Sequence, residues 1–352
     1  MTDPSETSAP ESRIEPLPLT NGSIALLNLQ AQIAGLEGGD SPAEAAALID
    51  LLILRGAILG RISDYERAAQ LADGLVDVAA TDAVAYLTRG RTRAVFHRFT
   101  EALDDLDHAE RISPDDDAAK QERATVLQAL GRYDEALSTY GNAAGRGQSF
   151  QHAAALTGFW AERGESDTAE RLYIQSLGSY RGISPFPLAL LDFQLGLMWM
   201  RQEQLVRART YFEAAIRRVP AHAAAQGHLA EVEAALGEPE AAIVRLTPLA
   251  VSSDDPDYAA QLARILSEIG RSDESLAWRR KAASRYDWLV ASHPAAFADH
   301  AAEFWLGAGD DPQKALRLAE FNLQIRKTPR ANELVAQARK ANDMRAASVR
   351  RQ

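Results

Sequence analysis

Seven histidines, 49 acidic residues and no cysteine define the chemistry open to this 352-residue chain. Without cysteine there are no disulfides, no thiolate zinc ligands and no thiol nucleophiles, and the redox compartment stays open. His97, His108, His152, His222, His228, His293 and His300 are scattered. None stands four residues from another, the spacing with which a helix presents two imidazoles to one metal. The nearest approach to a ligand set is His300 with Glu303 on one helical face and Asp299 beside them; a hydrogen-bonded or exposed histidine is the simpler reading. Asp115-Asp116-Asp117 follows Ser113-Pro114 where a helix begins, so capping and dipole stabilisation account for it. Gly145-Arg146-Gly147 and Gly307-Ala308-Gly309 are turn glycines without the lysine of a phosphate loop. The expectation is a chain that is not an enzyme, with no catalytic, metal or cofactor site.

The elements that would have to position any site are organised by a period. Asp64-Tyr65-Glu66-Arg67-Ala68, Arg98-Phe99-Thr100-Glu101-Ala102-Leu103 and Arg132-Tyr133-Asp134-Glu135-Ala136-Leu137 place a small residue every 34 positions. The series continues through Ala169, Ala208, Ala242, Ser275 and Ala315 at steps of 33, 39, 34, 33 and 40. Upstream of each lies an apolar helix with Gly56, Gly90, Ala124, Thr157, Gly196, Ala230 or Ala263 at its middle. Downstream a second helix carries Tyr140, Tyr173, Phe212 or Leu246 in several copies. Small residues let crossing helices approach, and large ones fill the neighbouring grooves. Gly131 and Gly237 mark the tight turn between the two helices. A fixed period of this size means a stack of two-helix units.

These units resemble the tetratricopeptide repeat, with best matches at 83–116, 117–149 and 189–222 and less complete ones at 49–82, 150–188, 223–255, 256–295 and 296–329. The last departs most, since Pro312 and Ala319 stand where large residues are usual. The resemblance implies an all-α fold, a right-handed α-solenoid of antiparallel helix pairs. It also implies that the first helix of each unit lines an inner, concave groove that takes extended or helical peptides. Carried onto this chain at i, i+3/i+4 steps, the groove candidates are Leu87, Arg91, Gln121, Thr125, Leu190, Phe193, Leu197, Arg201, Arg264, Phe297, His300 and Phe304. The run Leu190–Arg201 stands out, because an apolar stripe ending in arginine suits an amphipathic peptide; the alternative is that Phe193 and Leu197 only pack on the insertion Pro185–Pro187. The Lys/Asn clamp that family members use for heat-shock chaperone tails is missing, since the matching places hold Leu87, Arg91, Gln121, Thr125, Ala154 and Gly158. Chaperone tails are therefore not expected in that mode.

The remaining features bound the ends and the setting. Residues 1–20, with four prolines and no apolar core, read as a disordered tail and not a signal peptide. Asn21–Gly38 reads as a helix, and Ser41-Pro42 opens the first unit as cap and first turn. The solenoid spans 21–329, and 330–352 form a capping helix with a basic tail. Two insertions interrupt the period, at Arg181–Pro187 and at Tyr286–Pro294, and divide the stack into blocks of four, three and one units. Residues 326–352 hold eight Lys/Arg against two acids, a net of +6 within a chain of net charge −11. That segment is either a handle for an acidic partner or a solvated cap. The acidic body argues against nucleic acid, because phosphates repel such a surface. The longest apolar run, near Leu188–Met200, is broken by Asp192 and Gln194 and is too short to span a bilayer. The expected protein is cytoplasmic and has no membrane insertion. It is a non-enzymatic scaffold or adaptor that binds a protein or peptide in its groove. The alternative function is a regulatory protein that senses a ligand or signalling peptide.

Overall fold

The computed structural model describes residues 17–143 and 149–349, and among these every regular element is a helix. A single helix, α1 (Gly22–Leu36), precedes eight pairs. These are α2 (Pro42–Leu59) with α3 (Ile62–Val78), α4 (Ala83–Val95) with α5 (Phe99–Ile112), and α6 (Asp117–Ala129) with α7 (Tyr133–Ala143). Next come α8 (Phe150–Glu162) with α9 (Ser166–Ser179), α10 (Phe186–Arg201) with α11 (Leu205–Arg218), and α12 (Ala223–Ala235) with α13 (Pro239–Ser252). The last two pairs are α14 (Asp257–Glu268) with α15 (Ser272–Ser292) and α16 (Pro294–Leu306) with α17 (Pro312–Ile325); α18 (Pro329–Val349) closes the stack. The fold is an all-α solenoid of helix pairs.

Local chemistry sets each boundary. Ser41 and Glu44 form a reciprocal capping box with Pro42 in the first turn of α2. Asp82, Asp116 and Ser149 cap α4, α6 and α8 through their side chains, so the Asp115–Asp117 cluster is a helix start, with Asp116 accepting from the Ala118 N–H. Gly131 and Gly237 turn the chain between paired helices with φ of 82° and 87°. His97 at 54° and Glu203 at 58° fill the same kind of turn without glycine.

The 34-residue series is the packing seam. Ala68, Ala102, Ala136, Ala169, Ala208, Ala242 and Ala315 are all fully buried. Ser275, the one hydroxyl in the series, donates to the Ala263 carbonyl at 2.6 Å, which satisfies its polar atom inside the crossing. A Cβ on Gly90 would sit 3.3 Å from Leu106, and one on Gly196 would sit 2.5 Å from the Phe212 ring. A second series runs in the same register. Arg55, Arg89 and Arg123 recur every 34 residues, and each pairs with a carboxylate of a second helix: Asp64 at 2.6 Å, Asp105 at 2.7 Å, and Glu110 at 2.8 Å together with Asp107. These pairs sit at half-buried positions, where a bidentate guanidinium fixes the angle between two helices.

The chain forms two compact units, each built from distant stretches of sequence: one takes residues up to Asp64 with Tyr140–Arg245, the other Tyr65–Thr139 with Leu246 onward. In the first, α2 packs on α12, and Gly22 at the start of α1 lies against the Arg218 carbonyl and Val219, where any Cβ would overlap the backbone. In the second, His97 Nδ1 donates to the Ala295 carbonyl at 3.0 Å, Phe96 stacks on His293 with centroids 4.3 Å apart, and His293 meets Glu66 at 3.1 Å. Arg326 there donates to the Ala129 carbonyl at 3.1 Å. A simple stack gives each unit contact with its neighbours alone; these contacts join residues roughly two hundred positions apart.

Three features differ from the sequence expectation. The insertion at 181–187 is an irregular connection, but the one at 286–294 is mostly absorbed by lengthening α15 to 21 residues. Leu17–Thr20, assigned to the disordered tail, have defined positions, with Leu17 and Leu19 packed on a core cluster and the Thr20 N–H donating to the Ile183 carbonyl at 2.8 Å; residues 1–16 of that tail lie outside the described residues. Pro312 is buried in the first turn of α17, a position where proline's missing N–H costs nothing.

Two glycine substitutions separate packing from propensity. Gly196→Ala forces a methyl into the Phe212 ring and is expected to cost about 1–3 kcal/mol in urea unfolding. Gly74→Ala, in α3 with nothing within 4 Å, is expected to stabilise by about 0.5–1 kcal/mol.

Candidate functional site

Helix α10 is apolar along most of its length. Its charges are Asp192 and Arg201. Leu188, Leu191, Leu195, Met198 and Trp199 point into the core of the first unit. Asp192 is fully buried with them, but the Tyr173 hydroxyl donates to it at 2.6 Å and Arg218 Nε at 2.7 Å, so the charge is paired on both oxygens. These bonds tie α10 to α9 and α11 and fix the rotation of the helix. The rotation leaves Leu190, Phe193 and Leu197 half-buried along one stripe, with Arg201 exposed at its end.

Phe193 has aromatic neighbours from later helices. Its ring lies among Phe212, His222 and His228, with centroid distances of 5.9, 5.2 and 5.7 Å. His222 caps α12 by accepting from the Ala225 N–H at Nδ1, so its proton sits on Nε2, which is buried without a partner. Burial, reinforced by nearby His228, pushes His222 down to about 4. His228 in turn meets Glu231 at 2.6 Å. The stripe thus ends on one side in a cluster of four aromatic rings holding one unsatisfied N–H donor, and on the other in a guanidinium. Beside it, the Gln194 amide lies over Gly158 of α8, close enough that a Cβ at that glycine would come within 2.8 Å of its oxygen.

The other candidates divide. Leu87 and Phe304 are corrected: both are core residues, 5% and 4% exposed, Leu87 in the cluster of Ala102 and Leu106 and Phe304 stacked on Tyr286 at 5.1 Å. The i, i+3/i+4 count placed them on the inner face, but the close crossing at Gly90 and the second-helix tyrosine draw that edge of the helix into the interior. Arg91 pairs with Glu122 at 3.4 Å and Arg264 with Glu268 at 3.1 Å, while Gln121 accepts at its carbonyl from the Thr125 hydroxyl at 3.1 Å. Phe297 is half-buried against His293. His300 is half-exposed, and the adjacent Asp299 carboxylate, 3.9 Å away, raises it above the usual imidazole range. Glu303, the other member of the expected ligand pair, is taken by Arg330 at 2.7 Å. Among the described residues no three His, Asp or Glu side chains converge as a metal would need.

In the second unit Asp299 and His300, adjacent in sequence, are joined by His97 and Asp255 in one polar cluster. His97 is driven to about 4 by burial and by the Arg326 charge. Asp255 is lifted to about 6 by burial and then by Asp257. Asp299 resists burial and stays below the usual carboxylate range because His300, His97 and Arg326 surround it. His97 lies in the α4–α5 turn, Asp255 in the α13–α14 connection and Asp299 on α16, so folding brings the three together.

A tetratricopeptide-repeat family model matches residues 200–265, which span α11 to α14. Solved structures with the same fold include the human IFIT1 dimer with PPP-AAAA, at 16% identity over 81% of this chain and 73% of that one, with a TM-score of 0.55. The APC/C hetero-tetramer Cut9-Hcn1 matches at 17% identity over 89% of this chain and 52% of that one, with a TM-score of 0.50. No curated protein matches. At these identities the likeness establishes the fold.

The two lowered histidines give a signed pH dependence. Both bind fewer protons folded than unfolded between about 6.5 and 4, so their contribution to stability is complete above pH 6.5 and is lost as the pH falls toward 4. For fully buried His222 the loss is about 3 kcal/mol. Asp255 acts in the opposite sense, costing stability as pH rises through 4 to 6. Urea unfolding at pH 7.5 and 4.5 checks the balance: His222→Gln is expected to flatten the loss relative to the parent chain.

Proposed function

We propose, for a chain that is a tetratricopeptide-repeat solenoid, that it is a non-enzymatic scaffold which binds a segment of a partner protein on the stripe of α10. The observation that supports this reading is the half-exposed line Leu190, Phe193, Leu197 and Arg201 on a helix whose opposite face is locked by the Asp192 network. Fixed apolar side chains beside a cation form a ready receptor for an amphipathic segment, because little ordering entropy remains to be lost on binding. Aromatic and arginine anchors of this kind carry most of the energy of such interfaces.

Charge favours protein over nucleic acid. IFIT1 is described with PPP-AAAA, but this chain has net charge −11, and Arg55, Arg89, Arg93, Arg123, Arg218 and Arg245 are engaged by carboxylates. No described helix is long and apolar enough to cross a membrane. A second reading, a regulatory protein that senses a ligand or signalling peptide, draws on the unsatisfied His222 Nε2–H beside Phe193. A ligand carbonyl there would satisfy a buried donor.

Pull-down from native lysate with the parent chain and with the double variant Phe193→Ala/Arg201→Glu tests the site. The expected result is loss of the captured partners, roughly a tenfold or greater fall in affinity, with helicity unchanged. Identical partners retained at identical strength would overturn the assignment.

A further inference from the structure

The first unit holds a short piece of its own chain in the manner of a bound peptide. Leu17–Thr20 are non-helical, and they precede α1, whose start is anchored by the Asn21 cap and by the tight fit of Gly22 on Arg218 and Val219. The segment itself is held by less. The Thr20 N–H donates to the Ile183 carbonyl at 2.8 Å, and Leu17 and Leu19 rest half-buried on the cluster of Tyr173, Tyr180, Leu188, Leu191 and Leu195. Pro18 between them is exposed. Phe193 and Leu197, the anchors of the α10 stripe, pack on the same cluster.

The receiving side is built for such a segment. Between α9 and α10 the chain runs without helix through Arg181–Ser184, so its backbone groups are not consumed by a helical ladder. Tyr180 donates its hydroxyl to the Ser184 carbonyl at 2.6 Å and packs edge-on to Phe150 at 4.7 Å, which fixes the connection in place. Ile183 is left 67% exposed, with its carbonyl turned to the Thr20 N–H. The Leu19 N–H donates to the Leu17 carbonyl at 2.8 Å, so the segment is turned at Pro18, and the connection holds it by one hydrogen bond to Thr20 and by the Leu17 and Leu19 side chains on the apolar cluster.

We propose that this surface is the receptor for a leucine-bearing segment of the partner that turns as Leu17–Leu19 does, and that Leu17–Thr20 is an internal strap that occupies it until the partner displaces it. The inference rests on the scaffold reading and gives the partner's chemistry: two large apolar side chains two residues apart, with a free backbone N–H just beyond. A tethered competitor at an effective concentration of about a millimolar weakens an incoming peptide without any contact of its own being lost.

The test uses the full chain and a fluorescein-labelled synthetic peptide with the sequence of residues 15–22, followed by anisotropy. The parent chain is compared with Leu17→Asp/Leu19→Asp, which loosens the strap by putting two charges against the apolar cluster. The variant is expected to bind the peptide at least tenfold more tightly than the parent. Equal affinity, or no binding by either, with unchanged helicity and thermal midpoint in the variant, overturns the proposal. A variant that loses its midpoint is replaced by Leu17→Ser/Leu19→Ser and judged by the same criterion. The pull-down with Phe193→Ala/Arg201→Glu reads the α10 site separately, so failure of the strap and failure of the scaffold reading give different results.

Discussion

Close approach of paired helices at a small residue is the constraint on which the rest of this structure depends. Where Ala102 lies under Gly90 and Phe212 under Gly196, no methyl group can be added without moving a neighbour. That approach sets the crossing geometry and brings Arg55 and Arg89 within reach of Asp64 and Asp105 in the partner helix, while Arg123 of α6 reaches back to Glu110 and Asp107 of α5 in the preceding pair. Every later feature follows from repeating one crossing: the rotation of α10, the stripe it leaves half-exposed, and the corners that meet distant helices. Stability in a stack of this kind comes from many similar interfaces and not from one large core.

The long-range contacts alter what such a stack can do. Gly22 on Arg218, α2 on α12, and His97 on Ala295 each bring together stretches far apart in sequence. A helix pair held on a non-neighbouring side as well resists the bending that a free stack allows. On α10, Leu190, Phe193 and Leu197 stay half-buried, with apolar atoms uncovered. Its opposite face is fixed by a buried carboxylate with two donors, an arrangement that loses several kcal/mol if one donor is removed. Rigidity behind the stripe and exposure in front of it have the same origin.

Much of the fold was legible because a period is a property of the sequence itself. Ala68, Ala102 and Ala136 declare the seam, Ser41-Pro42 and Asp116 declare helix starts, and the structure places each as read. The site was legible only in part. The spacing puts Phe193, Leu197 and Arg201 on one stripe of α10, which the structure leaves half-buried to exposed, but the neighbours of Phe193, His222 and His228, come from the next pair and could not be inferred from one helix. Leu87 and Phe304 were misplaced, because the helical step that separates an inner face from a buried edge is smaller than the width of a side chain. The arginine series at 55, 89 and 123 is likewise a property of the sequence, a polar repeat in the same register as the small residues, although its carboxylate partners become visible only in the fold. In the cluster of His97, Asp255, Asp299 and His300, the adjacency of Asp299 and His300 is a property of the sequence, whereas His97 and Asp255 join them only when distant corners meet.

In the proposed mode of binding, α10 and the connection before it form a receptor already occupied from within. Hydrogen exchange followed by mass spectrometry, on the full chain with and without its captured partner, addresses that claim directly. Slower exchange across residues 186–201 together with faster exchange at 17–20 is the predicted result. Unchanged exchange in both segments, or protection of residues 17–20 on partner binding, would contradict it.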